Sequence, residues 1–420
     1  MPEKRWIRVI SIAFIMYTIA YIDRTNISLA LPSLTRDLHL TSTEAGDAVG
    51  IFFWGYLLLQ IPGGYFATRW SAKRFVSVLL VVWGCCAALT SLVHTGQGLL
   101  WMRFLLGVAE GGVWPATLVL LSNWFPSSER ARANAYWMLC LPAAVVFSSP
   151  LSGWILGRWN WRVLLVVEGV FPLIWVVVWW LTIDDYPRQA RWISATERDF
   201  LEQTISREKT ELHPSAREPY LRLLLRPHVL LMVLIYFLQN SGNYGYLFWL
   251  PSAIEHTHKI SNLRVGFLFT IPYLLAGLGM ILISRSSDKT GDRPKHVAFA
   301  LAWGGIFLVA SVLTSASHPL LSFFLIIIVG FGPYGGLGPF WAIPTETLPA
   351  SVAGSAMGLI NALGNLGGFF GPLLVGYLRQ RTGGFVYPFA ILGVGWLIAA
   401  ALAGFFLPNS RKLKATMSAT

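Results

Sequence analysis

The segment QGLLWMRFLLGVAEGGVWPATLVLLS, residues 97–122, is apolar throughout except for one arginine, Arg103, and one glutamate, Glu110. At 1.5 Å per residue a helix of this length crosses a bilayer, which needs about 20 residues. A charge at the centre of a span costs roughly 3 kcal/mol or more, so it is usually kept for a pathway or a coupling site. Arg103 and Glu110 are seven residues apart, which puts them on one helical face about 10 Å apart along the axis. Both can therefore line one side of a cavity.

Eleven more apolar runs surround this one. They cover 7–33, 45–68, 75–94, 133–157, 162–183, 228–254, 264–284, 297–316, 320–343, 351–378 and 385–407. Hydrophobic residues make up 55 % of the chain and charged residues 12 %, too apolar for a soluble domain of 420 residues. The expected fold is an all-α integral membrane protein with twelve transmembrane helices in two six-helix bundles. Its parts are an N-terminal bundle (1–183), a linker with amphipathic helices (184–227), a C-terminal bundle (228–408) and a tail (409–420). No stretch is left for a soluble catalytic domain.

The net charge of +12 would suggest nucleic acid on a soluble protein. Here its distribution argues for membrane topology instead. With the N-terminus placed inside, 23 of the 32 Lys and Arg residues fall on the inner side and 7 on the outer side, leaving Arg24 and Arg103 within spans. This is the positive-inside pattern, with both termini cytoplasmic. The first span is too long, and too interrupted by Asp23-Arg24, for a signal-peptide core. Cys85, Cys86 and Cys140 lie in apolar spans and form neither a disulfide framework nor a metal-site spacing.

Apart from charges at the ends of the runs, three further charges sit within them: Asp23, Arg24 and Glu168. Arg24 shares a helical face with Tyr21, while Asp23 points about 100° away towards a neighbouring helix. A structural ion network would pair Asp23 with Arg103 and Arg24 with Glu110, although buried pairs seldom outdo apolar contacts. A functional reading divides the labour. Arginine forks hold a carboxylate at any pH, while carboxylates take up protons when desolvated and release them near a cation. Glu168, near the outer end of its span, is read as structural, paired with Arg162 or a neighbouring helix.

The two halves repeat weakly. Phe125-Pro126 precedes a small-residue span ending Pro150-Leu-Ser-Gly153, and Leu348-Pro349 precedes one with Pro372-Leu-Leu-Val-Gly376. Such repeats suit a carrier whose halves rock about a central site. The linker holds Ser194-Ala-Thr-Glu197, a capping-box pattern, and an interfacial segment is expected at 221–225. Breaks are expected in Gly330–Pro339, in 361–371 and in Gln239–Tyr246, where irregular backbone must face protein or water. Tyr56, Asn243, Tyr244, Trp341 and Asn361 are each ordinary packing residues taken singly. Together they would supply hydroxyls, amides and an aromatic platform for a polar solute.

On these residues the chain resembles the major facilitator superfamily and, within it, the anion:cation symporter family. The resemblance rests on Tyr21-Ile-Asp-Arg-Thr-Asn-Ile-Ser28, Arg103-Phe-Leu-Leu-Gly-Val-Ala-Glu-Gly111, Trp124-Phe-Pro-Ser-Ser-Glu-Arg130 and Pro187-Arg-Gln-Ala-Arg-Trp192. Asp288-Lys-Thr-Gly-Asp-Arg293 matches the superfamily's loop form. Loop 2–3 departs from that form, with Thr68 for the usual Asp and Ser71 for the usual Gly. The resemblance implies proton coupling at Asp23 and Glu110 and anion binding at Arg24 and Arg103. It implies a sugar-acid pocket at Tyr21, Tyr56, Trp341 and Asn361.

The expected function is proton-coupled uptake of a small organic anion, a sugar acid such as a hexonate, by alternating access. Tartrate or an aromatic carboxylate is the alternative substrate. An organophosphate:phosphate antiporter would use a cation from the second half, but span 7 has no Lys or Arg before Lys259. A transporter-like receptor lacks a signalling domain, and an enzyme lacks a metal or nucleophile motif. The expected partners are the anion, protons and the lipid bilayer, with no cofactor, metal or nucleic acid. The protein is expected to act as a monomer in a bacterial inner membrane.

Overall fold

The computed structural model describes residues 4–211, 222, 226–258, 261–348 and 350–408. The expected segment at 221–225 and the C-terminal tail lie outside the described residues, apart from Arg222. The described chain is helical, with no strand.

Twelve spans follow in order. Spans 1 to 6 are Lys4–Asp37, 42–71, Ala72–Thr90, Gly96–Trp124, 127–158 and Trp161–Thr182. Spans 7 to 12 are Pro227–His258, Asn262–Thr290, Arg293–Thr314, 319–347, 350–382 and Val386–Phe406. The expected runs agree with these spans to within a few residues at most ends. The excess is helix that continues into polar flanks, as at Lys4 and Thr290. The short helix Ala195–Glu211 lies in the linker, and Ser194 Oγ accepts from Glu197 N, as its capping pattern anticipates.

Several spans are broken near mid-depth. Span 1 breaks at Asn26, span 4 at Gly112, span 10 across 329–336 and span 11 at 365–366. Backbone groups freed by such breaks need partners inside the protein. Span 7 supplies several. Gln239 Nε2 donates to the Pro333 carbonyl at 2.8 Å and Asn240 Nδ2 to the Gly364 carbonyl at 3.2 Å. Trp249 Nε1 donates to the Pro372 carbonyl at 3.0 Å. The polar residues at the start of Gln239–Tyr246 thus stitch the broken helices of the second half together.

The halves meet closely on the face away from the termini. Span 5 packs on span 8 through Gly153 and Gly266, where a Cβ on Gly266 would lie 2.4 Å from the Ser149 carbonyl oxygen. Span 2 packs on span 11, where a Cβ on Gly46 would lie 2.6 Å from the Pro372 carbonyl oxygen. Asn262 donates to the Leu156 carbonyl at 3.1 Å, and Arg36 pairs with Glu255 at 3.3 Å. At mid-depth the halves are joined by Tyr21–Tyr334 and Gln60–Asn361. On the next turns of span 11 towards the termini, a Cβ on Gly354 or Gly358 would meet nothing within 4 Å. The described arrangement is sealed on the face opposite the termini.

Loop 2–3 does not reach across to the second half through its departed residues. Ser71 Oγ donates to Asp185, and Lys73 N donates to the same carboxylate at 2.8 Å. Both contacts stay with the linker. Loop 8–9 instead holds Arg293 between Asp288 and Glu346, the latter at 3.0 Å near the end of span 10.

Candidate functional site

The break at Asn26 ends the first helix of span 1 with Asp23 and Arg24 in its last turn. Span 4 brings Arg103 and Glu110 to the same depth through close glycine contacts with span 2. Cβ atoms on Gly107 and Gly111 would lie 2.0 and 2.2 Å from the Phe52 and Tyr56 carbonyl oxygens. Any side chain at those glycines would push span 4 off span 2. The four charged residues are buried, with Arg24 only 4 % and Glu110 1 % exposed.

Arg24 pairs with Glu110. Its Nη2 lies 3.1 Å and its Nε 3.4 Å from the same oxygen, Oε2. The other oxygen, Oε1, has no hydrogen-bond partner. The Arg24 guanidinium also lies over the rings of Tyr56 at 4.6 Å, Phe52 at 5.1 Å and Tyr21 at 5.5 Å. Arg103 lies 5.1 Å from the same Phe52 ring, so two guanidiniums share one aromatic ring. Arg103 Nε and Nη2 are buried without hydrogen-bond partners. An unpaired buried donor costs roughly 1–3 kcal/mol, and more when charged. These two nitrogens of the fork thus have no acceptor among the side chains around them.

Asp23 does not pair with Arg103 as the structural network would require. Its Oδ2 accepts from Trp83 Nε1 of span 3 at 2.6 Å, and Oδ1 is unpartnered. Of the two expected partners of Glu168, Arg162 does not reach it and a neighbouring helix does. Arg162 reaches Asp37 at 2.8 Å, and Glu168 Oε1 contacts Ser152 Oγ of span 5 at 2.7 Å. Arg162 opens its helix on the rim, whereas Glu168 lies nearly two turns deeper and fully buried.

The remaining sequence-derived residues divide into two groups. Tyr21, Tyr56, Tyr244 and Asn361 gather around the arginine pair or join the halves there. Tyr21 Oη lies 3.0 Å from Tyr334 Oη, and Tyr56 Oη lies 3.3 Å from Tyr17 Oη. Tyr244 packs on Phe53 at 4.4 Å and is within the electrostatic reach of Arg24. Asn361 Nδ2 donates to Gln60 Oε1 at 2.6 Å and its Oδ1 accepts from Asn365 at 3.0 Å. Trp341 stands apart from the arginines, half-buried against Tyr236 at 5.1 Å. Asn243 is buried with its Oδ1 unpartnered.

Sequence reasoning missed Phe52, Gln60, Trp83 and Tyr334. Tyr334 was detectable, since it sits inside the Gly- and Pro-rich break of span 10. The other three carry no local signal. An apolar or amide residue in a span looks alike whether it faces lipid, a neighbour or a site. Among the described residues no group of three or more His, Cys, Asp or Glu side chains could hold a metal.

A carrier made of two rocking six-span halves, with its charged site at their junction, is the class this architecture defines. The chain belongs to the major facilitator superfamily, whose profile matches residues 13–372 and 251–418. It is 32 % identical over 416 residues to a protein of Agrobacterium vitis provisionally named a tartrate transporter, covering 97 % of this chain and 94 % of that one. It is 27 % identical over 424 residues to a Bacillus subtilis protein provisionally named the galactarate/D-glucarate transporter GudP, covering 96 % and 91 %. Its fold is similar to the inward-open xylose transporter XylE of E. coli, with a TM-score of 0.79 at 16 % identity over 98 % and 99 % of the two chains. The protein is thus a multi-pass membrane transporter of this superfamily and not an enzyme.

Proposed function

We propose that this transporter carries a small hydroxylated organic anion together with protons, from the outer to the cytoplasmic side, as a monomer. The observation that carries this reading is the pair of guanidiniums that share the Phe52 ring. One is neutralised by Glu110 and the other has two buried nitrogens without partners. Arg103 offers a carboxylate its fork, and protonation of Glu110 would free Arg24 to join it. Asp23, held by Trp83 next to Arg24 in sequence, is the second candidate proton carrier. Tyr21, Tyr56, Tyr244, Asn243, Asn361 and Trp341 are assigned to the pocket for the solute's hydroxyl groups and body. No cofactor takes part; protons are the coupling ion.

A sugar acid such as a hexonate fits one carboxylate and several hydroxyls. A hydroxylated dicarboxylate such as tartrate is the second reading. It is favoured because two guanidiniums become available together once Glu110 is neutral. The bias of Lys and Arg supports a cytoplasmic location for both termini. The sealed face then lies outside, as in a carrier caught between outward opening and release within. By the same reading, residues 184–227 form a cytoplasmic linker between the two bundles, in a bacterial inner membrane.

The test is uptake into proteoliposomes under an imposed inward proton gradient, with a panel of hexonates, aldarates and tartrate. Accumulation above the external concentration, abolished by a protonophore, is the expected result. Uptake of these acids that only equilibrates, whatever the gradient, would remove the coupling assignment. A thermal-shift screen of the purified protein selects the substrate, since a ligand of the folded state raises Tm.

A further inference from the structure

Glu168 lies outside the charged site, yet it is fully buried. Among the described residues no Lys or Arg forms an ion pair with it. Asp23 on span 1, which is also acidic, is within its electrostatic reach. Asn26, at the break of span 1, lies beside it. A carboxylate buried without a cation is costly even beside the Ser152 hydroxyl and the Asn26 amide, whereas the neutral acid is not.

The hydrogen bonds around Ser152 make the same point from geometry. Ser152 Oγ lies 2.9 Å from the Ser148 carbonyl oxygen and 2.7 Å from Glu168 Oε1. A hydroxyl has one proton and can satisfy only one of these acceptors. Both contacts are hydrogen bonds when Glu168 carries the proton and donates to Ser152 Oγ, which donates on to Ser148. When that proton leaves to water, the carboxylate takes over the Ser152 proton and the Ser148 carbonyl loses its side-chain partner.

These partners are also the outer seal. Ser152 is adjacent to Gly153, which meets Asn262 and Gly266 of span 8, and the Ser149 carbonyl faces Gly266. The stretch 148–153 therefore holds Glu168 on one side and closes the two halves together on the other.

We propose that Glu168 and Ser152 form a proton site that controls the outer seal. The outer face closes when Glu168 is protonated and opens when it gives its proton to water. This goes beyond the coupling reading, which assigns its protons to Asp23 and Glu110. The outer rim carries other titratable and charged groups that could confer pH dependence. These are Asp37 paired with Arg162, His94 beside Arg162, and Arg36 paired with Glu255. His94 is the rival to exclude, since histidine titrates near neutral pH.

Hydrogen–deuterium exchange of the full-length protein, corrected for the intrinsic pH dependence of exchange, reads the seal directly. In the wild type, exchange in the outer halves of spans 5 and 8 should rise as pH rises. Glu168→Gln, uncharged at every pH, should hold those segments at their low-pH level. His94→Gln should keep the wild-type dependence, which separates Glu168 from the histidine on the rim. Infrared difference spectra provide a second measurement. A protonated carboxylic-acid band should be present in the wild type at neutral pH, absent in Glu168→Gln and displaced in Ser152→Ala. An unchanged pH dependence in Glu168→Gln, its loss in His94→Gln instead, or no band removed by Glu168→Gln would each overturn the proposal.

Discussion

Replacing Glu110 by Gln should make substrate binding tighter and independent of pH, while abolishing accumulation driven by a proton gradient. In the wild type Arg24 donates twice to Glu110 Oε2, at 3.1 and 3.4 Å. A hydrogen bond to a charged group contributes about 1.5–3 kcal/mol and a neutral one about 0.5–1.5 kcal/mol. The change to Gln keeps an acceptor but removes the charge. From the shorter, 3.1 Å bond alone, about 1–1.5 kcal/mol of competition for Arg24 then disappears. At 1.4 kcal/mol per factor of ten, an anionic substrate should bind roughly tenfold more tightly at alkaline pH. The sign follows from linkage. If binding the anion takes up one proton at Glu110, wild-type affinity falls as pH rises, by at most about tenfold per pH unit. Equilibrium binding to the purified protein across a pH series measures both terms, and counterflow exchange in proteoliposomes checks that the variant still translocates. A Glu110→Gln protein with the wild-type pH dependence, or with wild-type accumulation under a pH gradient, would refute the reasoning and leave Asp23 as the remaining candidate.

Arg103→Lys should lose most substrate affinity despite keeping its charge, because Lys has no planar fork; unchanged binding in both Arg24→Ala and Arg103→Ala would remove the anion site. Asn361→Ala removes the 2.6 Å bond to Gln60 and should cost only about 0.5–1.5 kcal/mol of stability, seen as a small fall in Tm. Its substrate affinity should fall further than its stability, and normal binding in both Asn361→Ala and Trp341→Ala would displace the pocket from the second half. Trp83→Phe leaves the Asp23 carboxyl without its indole donor. A loss of about 1.5–3 kcal/mol is expected in denaturation, together with weakened gradient-driven uptake, and a neutral result would detach Asp23 from coupling. Gly266→Val should force span 8 off span 5 and hold the outer face open. Outer segments should then exchange deuterium faster, with transport lost; normal transport would mean that this contact is not part of the gate.

The fold was legible because a bilayer imposes its own ruler. An apolar run either reaches about 20 residues or does not, and twelve runs reached it without any tertiary information. What length could not reveal was how each broken span is repaired. Gly330–Pro339 announces a break, but only the structure shows that Gln239 accepts the duty of capping Pro333. Those polar residues of span 7 looked like a cavity lining, and the first two are tied to backbone carbonyls instead. A buried amide satisfies a carbonyl or a solute with equal ease, so residue type alone does not separate the two uses.

The charged residues were legible for the opposite reason, since nothing in a bilayer tolerates them by accident. Their partners were not. Seven residues between Arg103 and Glu110 put both on one face, but which cation meets which anion depends on the depth at which span 1 docks beside span 4. The structure settles that depth with Arg24 on Glu110 and Asp23 on Trp83. Arg103 is left between a ring and two acids it does not reach with Nε or Nη2. Among the described residues the second half brings neutral groups to this level, and two of them, Tyr334 and Asn361, are bonded to polar residues of the first half. The first half therefore holds the charge, while the second half adds hydrogen bonds that a hydroxylated solute can replace at little net cost. An acid without hydroxyls would leave those groups unpaired, at roughly 1–3 kcal/mol each. On the proposed function, selectivity for hydroxylated acids over bare ones is therefore assigned to the neutral half of the site, and coupling to the charged half.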